Sequence, residues 1–461
     1  MQGHAAVLEG GALSPAWGVP FAGLLLSIAL MPLVAPTFWH RHAGKVTLAW
    51  ALAFVLPFAG VFGASLALQQ VVHAALAEYL PFIVLLTALF TVAGGIHIRG
   101  NLRGSPGLNV GILASGAALA SVMGTTGASM LLIRPLIRAN DDRRRQAHVM
   151  VFFIFIVSNV GGSLTPLGDP PLFLGFLKGV DFFWTAGHLL TETLCLLGAL
   201  LALFWVIDRR LFRIDGVQPV DPTPDTPAPP VSTGRWPIGF DGAGNFWLLA
   251  GVIALVLMSG LWTSPVAFDI LGTPVGLPGL LRDAGLVALT LASLWLTPRR
   301  VHEANQFGWA PMVEVATLFA GIFVTIVPVI AMLRAGADGP FGAVVAAVTR
   351  ADGQPEPAMY FWATGLLSSF LDNAPTYLVF FNTAGGDAAT LMTAQAATLG
   401  AISAGAVYMG ANSYIGNAPN LMVKAIAESR GVRMPGFFGY MAWSASCLIP
   451  LFVLLTLVFI R

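Results

Sequence analysis

Charge is what this chain has least of. Lysine, arginine, aspartate and glutamate make up 10% of its 461 residues, against roughly 25% in a soluble domain. So few charges cannot cover a water-facing surface, and 56% of the residues are hydrophobic. The composition is that of an all-α polytopic membrane protein. Cysteine is almost missing too. Cys195 and Cys447 both lie in apolar runs, which excludes a disulfide framework and a thiolate metal site. There is no basic tail, and a net charge of +1 gives no footprint for nucleic acid. A removable signal peptide is not expected, because the start lacks a basic region and the first apolar run is followed by His40, Arg41 and Lys45.

Two interruptions stand out against this apolar background. The first runs Ser158-Asn159-Val160-Gly161-Gly162-Ser163-Leu164-Thr165-Pro166-Leu167-Gly168-Asp169-Pro170-Pro171. It lies where a spanning helix would otherwise continue, and its glycines and prolines force the backbone open. Open backbone at membrane depth survives only if buried in protein or lining a wet cavity. The second, Gly410-Ala411-Asn412-Ser413-Tyr414-Ile415-Gly416-Asn417-Ala418-Pro419-Asn420, repeats the design 248 residues later. At that offset Gly162 falls on Gly410, Thr165 on Ser413, Gly168 on Gly416 and Asp169 on Asn417. Paired broken helices in two halves are the best sequence pointer to a secondary transporter's binding site.

Read in order, the chain divides into a first transmembrane repeat (1–213), a Pro-rich linker (214–243) and a second repeat (244–461). In the first, spans begin near Trp17, Val46 and Tyr79. A glycine-rich re-entrant hairpin (108–139) follows, then a broken helix (148–178) and a plain span from Ala186 to Ile207. In the second, spans near Asn245, Asp283 and Trp309 precede a hairpin (358–384), a broken helix (390–424) and a last span near Phe437. The hairpin tips obey the same offset, Gly124 falling on Asp372 and Thr125 on Asn373. Ten spans and two hairpins result. With both termini outside and the linker in the cytoplasm, eighteen of the 23 lysines and arginines fall inside, including Arg134, Arg138, Arg209, Arg235 and Arg430. That bias obeys the positive-inside rule. Five spans per half invert the second half, so the expected fold is two inverted-topology repeats, each five spans with a re-entrant hairpin and a broken helix.

The chemistry gathers at the interruptions. Half-helix carbonyls and side-chain oxygens suit a dehydrated cation. Asp169 and Asp372 are ionisable groups deep in the membrane, which usually mark an ion or proton path. The plainer reading is that Asp169, followed by Pro170, is an N-cap with Pro at N1, and that Asp372 and Asn417 are caps as well. A carboxylate removed from water holds its proton to higher pH, so one site could take either a proton or a sodium ion. Thr125, Thr126, Thr165, Thr376, Asn412, Ser413, Asn417 and Asn420 add neutral oxygens at the same places. Asn159 precedes the first break and serves packing or binding equally well. Glu192 and Glu314 lie within spans as candidate proton relays, or pair with neighbouring helices. His97 and His148 are expected at the interface.

The hairpin tip Leu371-Asp372-Asn373-Ala374-Pro375-Thr376 and the Thr165-Pro166-Leu167-Gly168-Asp169-Pro170-Pro171 break resemble the ion transporter superfamily over nearly the whole chain. That group includes NhaD-type sodium/proton antiporters, citrate–metal transporters, divalent-anion/sodium symporters and arsenite exporters. The resemblance implies an elevator-type homodimer with sodium held at each tip-and-break pair. Carried over, Asp372, Asn373, Thr376, Asn412 and Ser413 would form one sodium site. The first tip departs from the pattern at Gly124-Thr125-Thr126, and Leu172 stands where the second break has Asn420.

The expected function is a sodium/proton antiporter, with Na+ and H+ as coupling ions, no other cofactor, and lipid and small ions as partners. The alternative is a citrate or dicarboxylate symporter, its carboxylate anion held by Asn, Thr and helix N-termini. From another class, Leu167-Gly168-Asp169 faintly echoes an intramembrane aspartyl protease, with Asp372 as second acid, but Pro166 stands where that motif has a glycine. If the host is a bacterium, the expected location is its inner membrane.

Overall fold

The computed structural model describes residues 8–100, 102–215 and 239–460. Most of the expected linker, with Arg235, lies outside the described residues, as does Arg461. The chain is helical, in the order α1 (Val19–Val34), α2 (Pro36–Phe62), α3 (Ala64–His73), α4 (Leu80–Gly94), α5 (Pro106–Met123), α6 (Thr125–Ala139), α7 (Ala147–Ile156), α8 (Pro170–Leu177) and α9 (Trp184–Asp215). After the linker come α10 (Gly244–Leu261), α11 (Leu277–Leu296), α12 (Arg299–Ala304), α13 (Ala310–Thr325), α14 (Val327–Arg334), α15 (Gly342–Ala347), α16 (Pro357–Ser368), α17 (Asn373–Thr383), α18 (Ala388–Met392), α19 (Ala396–Met409), α20 (Ala418–Ser429) and α21 (Phe437–Phe459). Two short antiparallel pairs are the only sheets among the described residues. One, β1 (His97–Arg99) with β2 (Gly239–Asp241), joins the two halves beside the linker; the other, β3 (Ala267–Ile270) with β4 (Thr273–Gly276), is a hairpin between α10 and α11.

Eight helices among the described residues are long and apolar enough to cross a membrane, and α13 with α14 makes a ninth, bent by 43°. Pro328 lies just past that bend, the usual cause of such a kink. The broken segments miss the length test because each is two pieces. At 1.5 Å per residue, α7 and α8 are about 15 and 12 Å long, so only together do they approach a hydrocarbon core of roughly 30 Å. α5, expected as one arm of a hairpin, is by length and composition itself a candidate span.

Several boundaries differ from the sequence reading. α2 begins at Pro36 rather than near Val46. His40, Arg41 and Lys45 therefore lie on helix, where long basic side chains can reach the interface along an apolar stem. The span expected from Tyr79 is continuous with α3 through a π-helical stretch at Ala74–Tyr79. The second broken helix starts at Ala396, because Thr393 leaves the helical region and sets α18 apart. His148, expected at the interface, is buried within the protein at 3% exposure, and its Nε2 sits 2.8 Å from Asp208 Oδ1. Arg143 Nη2 (2.5 Å) and Asn109 Nδ2 (3.0 Å) bind the same carboxylate. This buried knot ties α5, α7 and the loop before α7 to the end of α9.

The two broken segments pack into one body with α5, α6, α16, α17, α9 and α21. α4 and α13 form a wall beside it. Phe82 packs tilted against Phe319 and edge-on against Phe323 within that wall.

Candidate functional site

Each break is built by the same local rule. In the first, Thr165 Oγ1 donates to the Ser121 carbonyl (2.5 Å) and accepts from Leu167 N–H (3.2 Å). In the second, Ser413 Oγ donates to the Ser369 carbonyl and accepts from Ile415 N–H (3.2 Å). Such side-chain bonds satisfy backbone groups that the missing helical turn leaves open. Glycine is required where the strands of the break touch. A Cβ on Gly168 would lie 2.2 Å from the Gly162 carbonyl oxygen, and one on Gly416 would lie 2.6 Å from that of Gly410. The first hairpin turn closes on the first break, with Thr125 N–H donating to the Gly168 carbonyl at 2.8 Å. Gly124 makes that turn at φ +82°, a conformation that favours glycine.

Asp169 sits at the meeting point and is 2% exposed. It precedes α8, yet its side chain caps no backbone N–H of that helix. Its Oδ1 accepts from Thr125 Oγ1 (2.9 Å) and Asn417 Nδ2 (3.1 Å), and its Oδ2 from Asn373 Nδ2 (2.5 Å). One carboxylate thus gathers the first tip, the second break and the second tip. Asn417 likewise makes no side-chain cap; besides Asp169 it reaches the Ser158 carbonyl and Asn159 Oδ1. Asn159 Nδ2 donates to Asn420 Oδ1 (2.8 Å), and Asn420 Nδ2 donates to the Gly410 and Ser413 carbonyls. These asparagines are buried. They form a neutral bridge from one broken helix to the other.

Asp372 behaves differently. Its Oδ1 accepts from Ala374 N–H at 3.0 Å, capping α17, and its carbonyl accepts from Thr376 Oγ1. The proposed sodium set is only partly gathered. Asn412 Nδ2 donates to Ser369 Oγ (2.9 Å) and Ser413 Oγ to the Ser369 carbonyl, whereas Asn373 turns away to Asp169. Asn373 Oδ1 and Asn412 Oδ1 are buried without a partner, leaving two oxygens free for a ligand. Glu314 is exposed on α13, and Glu192 is half-buried on α9 with Oε2 unpartnered. Ser121 and Ser369 were overlooked in the sequence, although they too are 248 residues apart and precede each tip by three residues.

A narrow cleft of about 90 Å³ lies between this cluster and the wall. That is well below the roughly 300–1,000 Å³ of a drug-sized ligand site, and it suits water or small ions. Thr125, Thr126, Asp169, Asp372 and Asn417 supply its polar side, while α4 and α13 supply an apolar side with Leu89, Phe90, Met312 and Phe319. Among the described residues no lysine, arginine or histidine lines it. Asp169 and Asp372 both face this one space.

A family model described as "Putative citrate transport" matches residues 10–460. No curated protein matches the chain.

Proposed function

Since the chain belongs to this citrate-transport family within the ion transporter superfamily, we propose that it is a secondary transporter exchanging sodium for protons at Asp169 and Asp372. The observation that carries this reading is the cleft itself, with two acids, neutral oxygens and no basic residue among its lining. Asp169 is surrounded by neutral donors, and its charge is balanced by no side chain. A proton or a sodium ion would balance it, and the two compete for the same oxygens.

The inverted repeat is part of the proposal. Residues at equivalent places in two halves can touch only near the axis relating them. Asp169 and Asn417 do so at 3.1 Å, 248 residues apart, and the Thr165–Ser121 bond recurs as Ser413–Ser369. These contacts support ten spans and two hairpins with the tips meeting near mid-membrane. The placing of the cleft between the broken-helix body and the α4–α13 wall supports elevator motion of one against the other. A homodimer, both termini outside and a bacterial inner-membrane location complete the reading.

Citrate symport is the second reading, favoured by the family's description. A citrate ion in this cleft needs bound cations, because Asp169 and Asp372 would repel it otherwise. Purified protein in liposomes with a trapped pH dye and no membrane potential tests both. Sodium alone should move protons, and Asp169→Asn should abolish the signal. A response only to citrate with sodium would replace antiport by symport.

A further inference from the structure

Three arginines lie along the faces that lead away from the cleft. On α6, Thr126, Met130, Arg134 and Arg138 follow at four-residue spacing, and on α20 so do Ala418, Met422 and Ile426, with Arg430 at its C-cap. Residues four apart share a helix face, and α6 packs against α20. Thr126, Ala418 and Met422 line the cleft. Two turns further on, about 12 Å along each helix, stand Arg134 and Arg430. Phe90, Met130 and Met312 form a small apolar cluster at the edge of the cleft, with Met422 and Phe307 packed against it.

Arg134 is 6% exposed, and its Nε and Nη1 are buried without any hydrogen-bond partner. Its only hydrogen bond among the described residues is a long one, Nη2 to Gln306 Oε1 at 3.4 Å. Gln306 itself holds a positive φ of 49°, uncommon for a residue with a Cβ. Arg138 and Arg430 are exposed and close enough to repel Arg134 and, in the case of Arg430, each other. Among the described residues no carboxylate lies within 4.0 Å of any of the three. A buried guanidinium with two unmet donors is costly, and like charges beside it add to the cost. An anion bound beside the three arginines would remove both penalties together.

We infer that Arg134, Arg138 and Arg430 form an oxyanion-binding site at the end of α6 and α20 remote from the cleft, taking a carboxylate or phosphate group. The planar fork of Arg134 matches two oxygens of such a group, while Arg138 and Arg430 add charge from the open side. A soluble polycarboxylate and a lipid phosphate share this chemistry. The site does not depend on which ion the cleft exchanges.

The test is calorimetric titration of citrate and of inorganic phosphate into the full-length protein in phosphatidylcholine nanodiscs. Native mass spectrometry of protein offered phosphatidylglycerol forms a parallel arm. Arg138→Gln and Arg430→Gln change exposed residues and should fold normally, while each weakens binding about tenfold. Arg134→Gln should abolish it, and Arg134→Lys, lacking the fork, should not restore it. Arg209→Gln, on α9, should leave it intact. Retention of phosphatidylglycerol that Arg430→Gln removes, with no citrate or phosphate binding, would keep the site and identify lipid as its ligand. Soluble-anion affinities unchanged in Arg138→Gln and Arg430→Gln, or no binding of any probe, would overturn it.

Discussion

Substituting Asp169 separates the charge of the carboxylate from its hydrogen bonds. In Asp169→Ala, Thr125 Oγ1 and Asn373 Nδ2 lose their acceptor. Asn417 keeps the Ser158 carbonyl and Asn159 Oδ1. Two stranded buried donors at about 1–3 kcal/mol each give a destabilisation of roughly 2–6 kcal/mol. Asp169→Asn is a different case. Its amide oxygen can face Thr125 and Asn417 while its NH2 faces Asn373. Asn373 Oδ1 is buried and unpartnered, so half a turn of that amide lets it accept from the new NH2. The cost should stay within about 1 kcal/mol, the worth of one ordinary hydrogen bond. Thermal unfolding of the purified protein in detergent should place Asp169→Asn close to wild type and Asp169→Ala well below both. Neither variant should exchange sodium for protons in liposomes. If Asp169→Asn melts as low as Asp169→Ala, the negative charge itself holds the three segments together. If it still transports, the carboxylate is not the exchange site.

Gly168→Ala drives a Cβ into the Gly162 carbonyl oxygen, and overpacking of backbone costs about 1–3 kcal/mol or more. Loss of monodisperse protein is expected there. Gly111→Ala, exposed on α5 with open space around it, should be neutral or stabilising by up to about 1 kcal/mol. Asp208→Ala leaves Arg143 buried and unpaired, a loss of about 3–5 kcal/mol. Arg143→Met added to Asp208→Leu should recover part of the melting temperature. Asn159→Ala and Asn420→Ala should be non-additive in a double-mutant cycle, by about 0.5–3 kcal/mol, as for residues in direct contact; strict additivity would deny that the bridge between the breaks contributes.

The breaks were legible because glycine and proline inside an apolar run admit few explanations. The 248-residue offset paired Asp169 with Asn417, and their side chains touch. What the offset could not say is which tip meets which break. Asn373 was assigned to the second site, but its amide crosses to Asp169 in the first half, a contact of tertiary packing alone. The capping reading of Asp169 was equally open from Asp-Pro and was decided only by where the carboxylate points, whereas Asp372 does cap. Helix starts at Pro36 and Ala64 were hidden by His40, Arg41, Lys45, Gln69 and Gln70, polar residues that read as loop but extend a helix at the interface. The burial of His148 was not legible, because nothing in its neighbourhood in sequence announces Asp208, sixty residues on.

The central claim is that sodium and a proton compete for one carboxylate, and proton release on sodium binding measures that competition directly. Purified protein in weakly buffered detergent solution, with a pH dye, would be mixed with sodium chloride and, as control, choline chloride. The account predicts protons released on sodium addition from wild type, with close to none from Asp169→Asn. Sodium binding without proton release, or release that persists undiminished in Asp169→Asn, would contradict it.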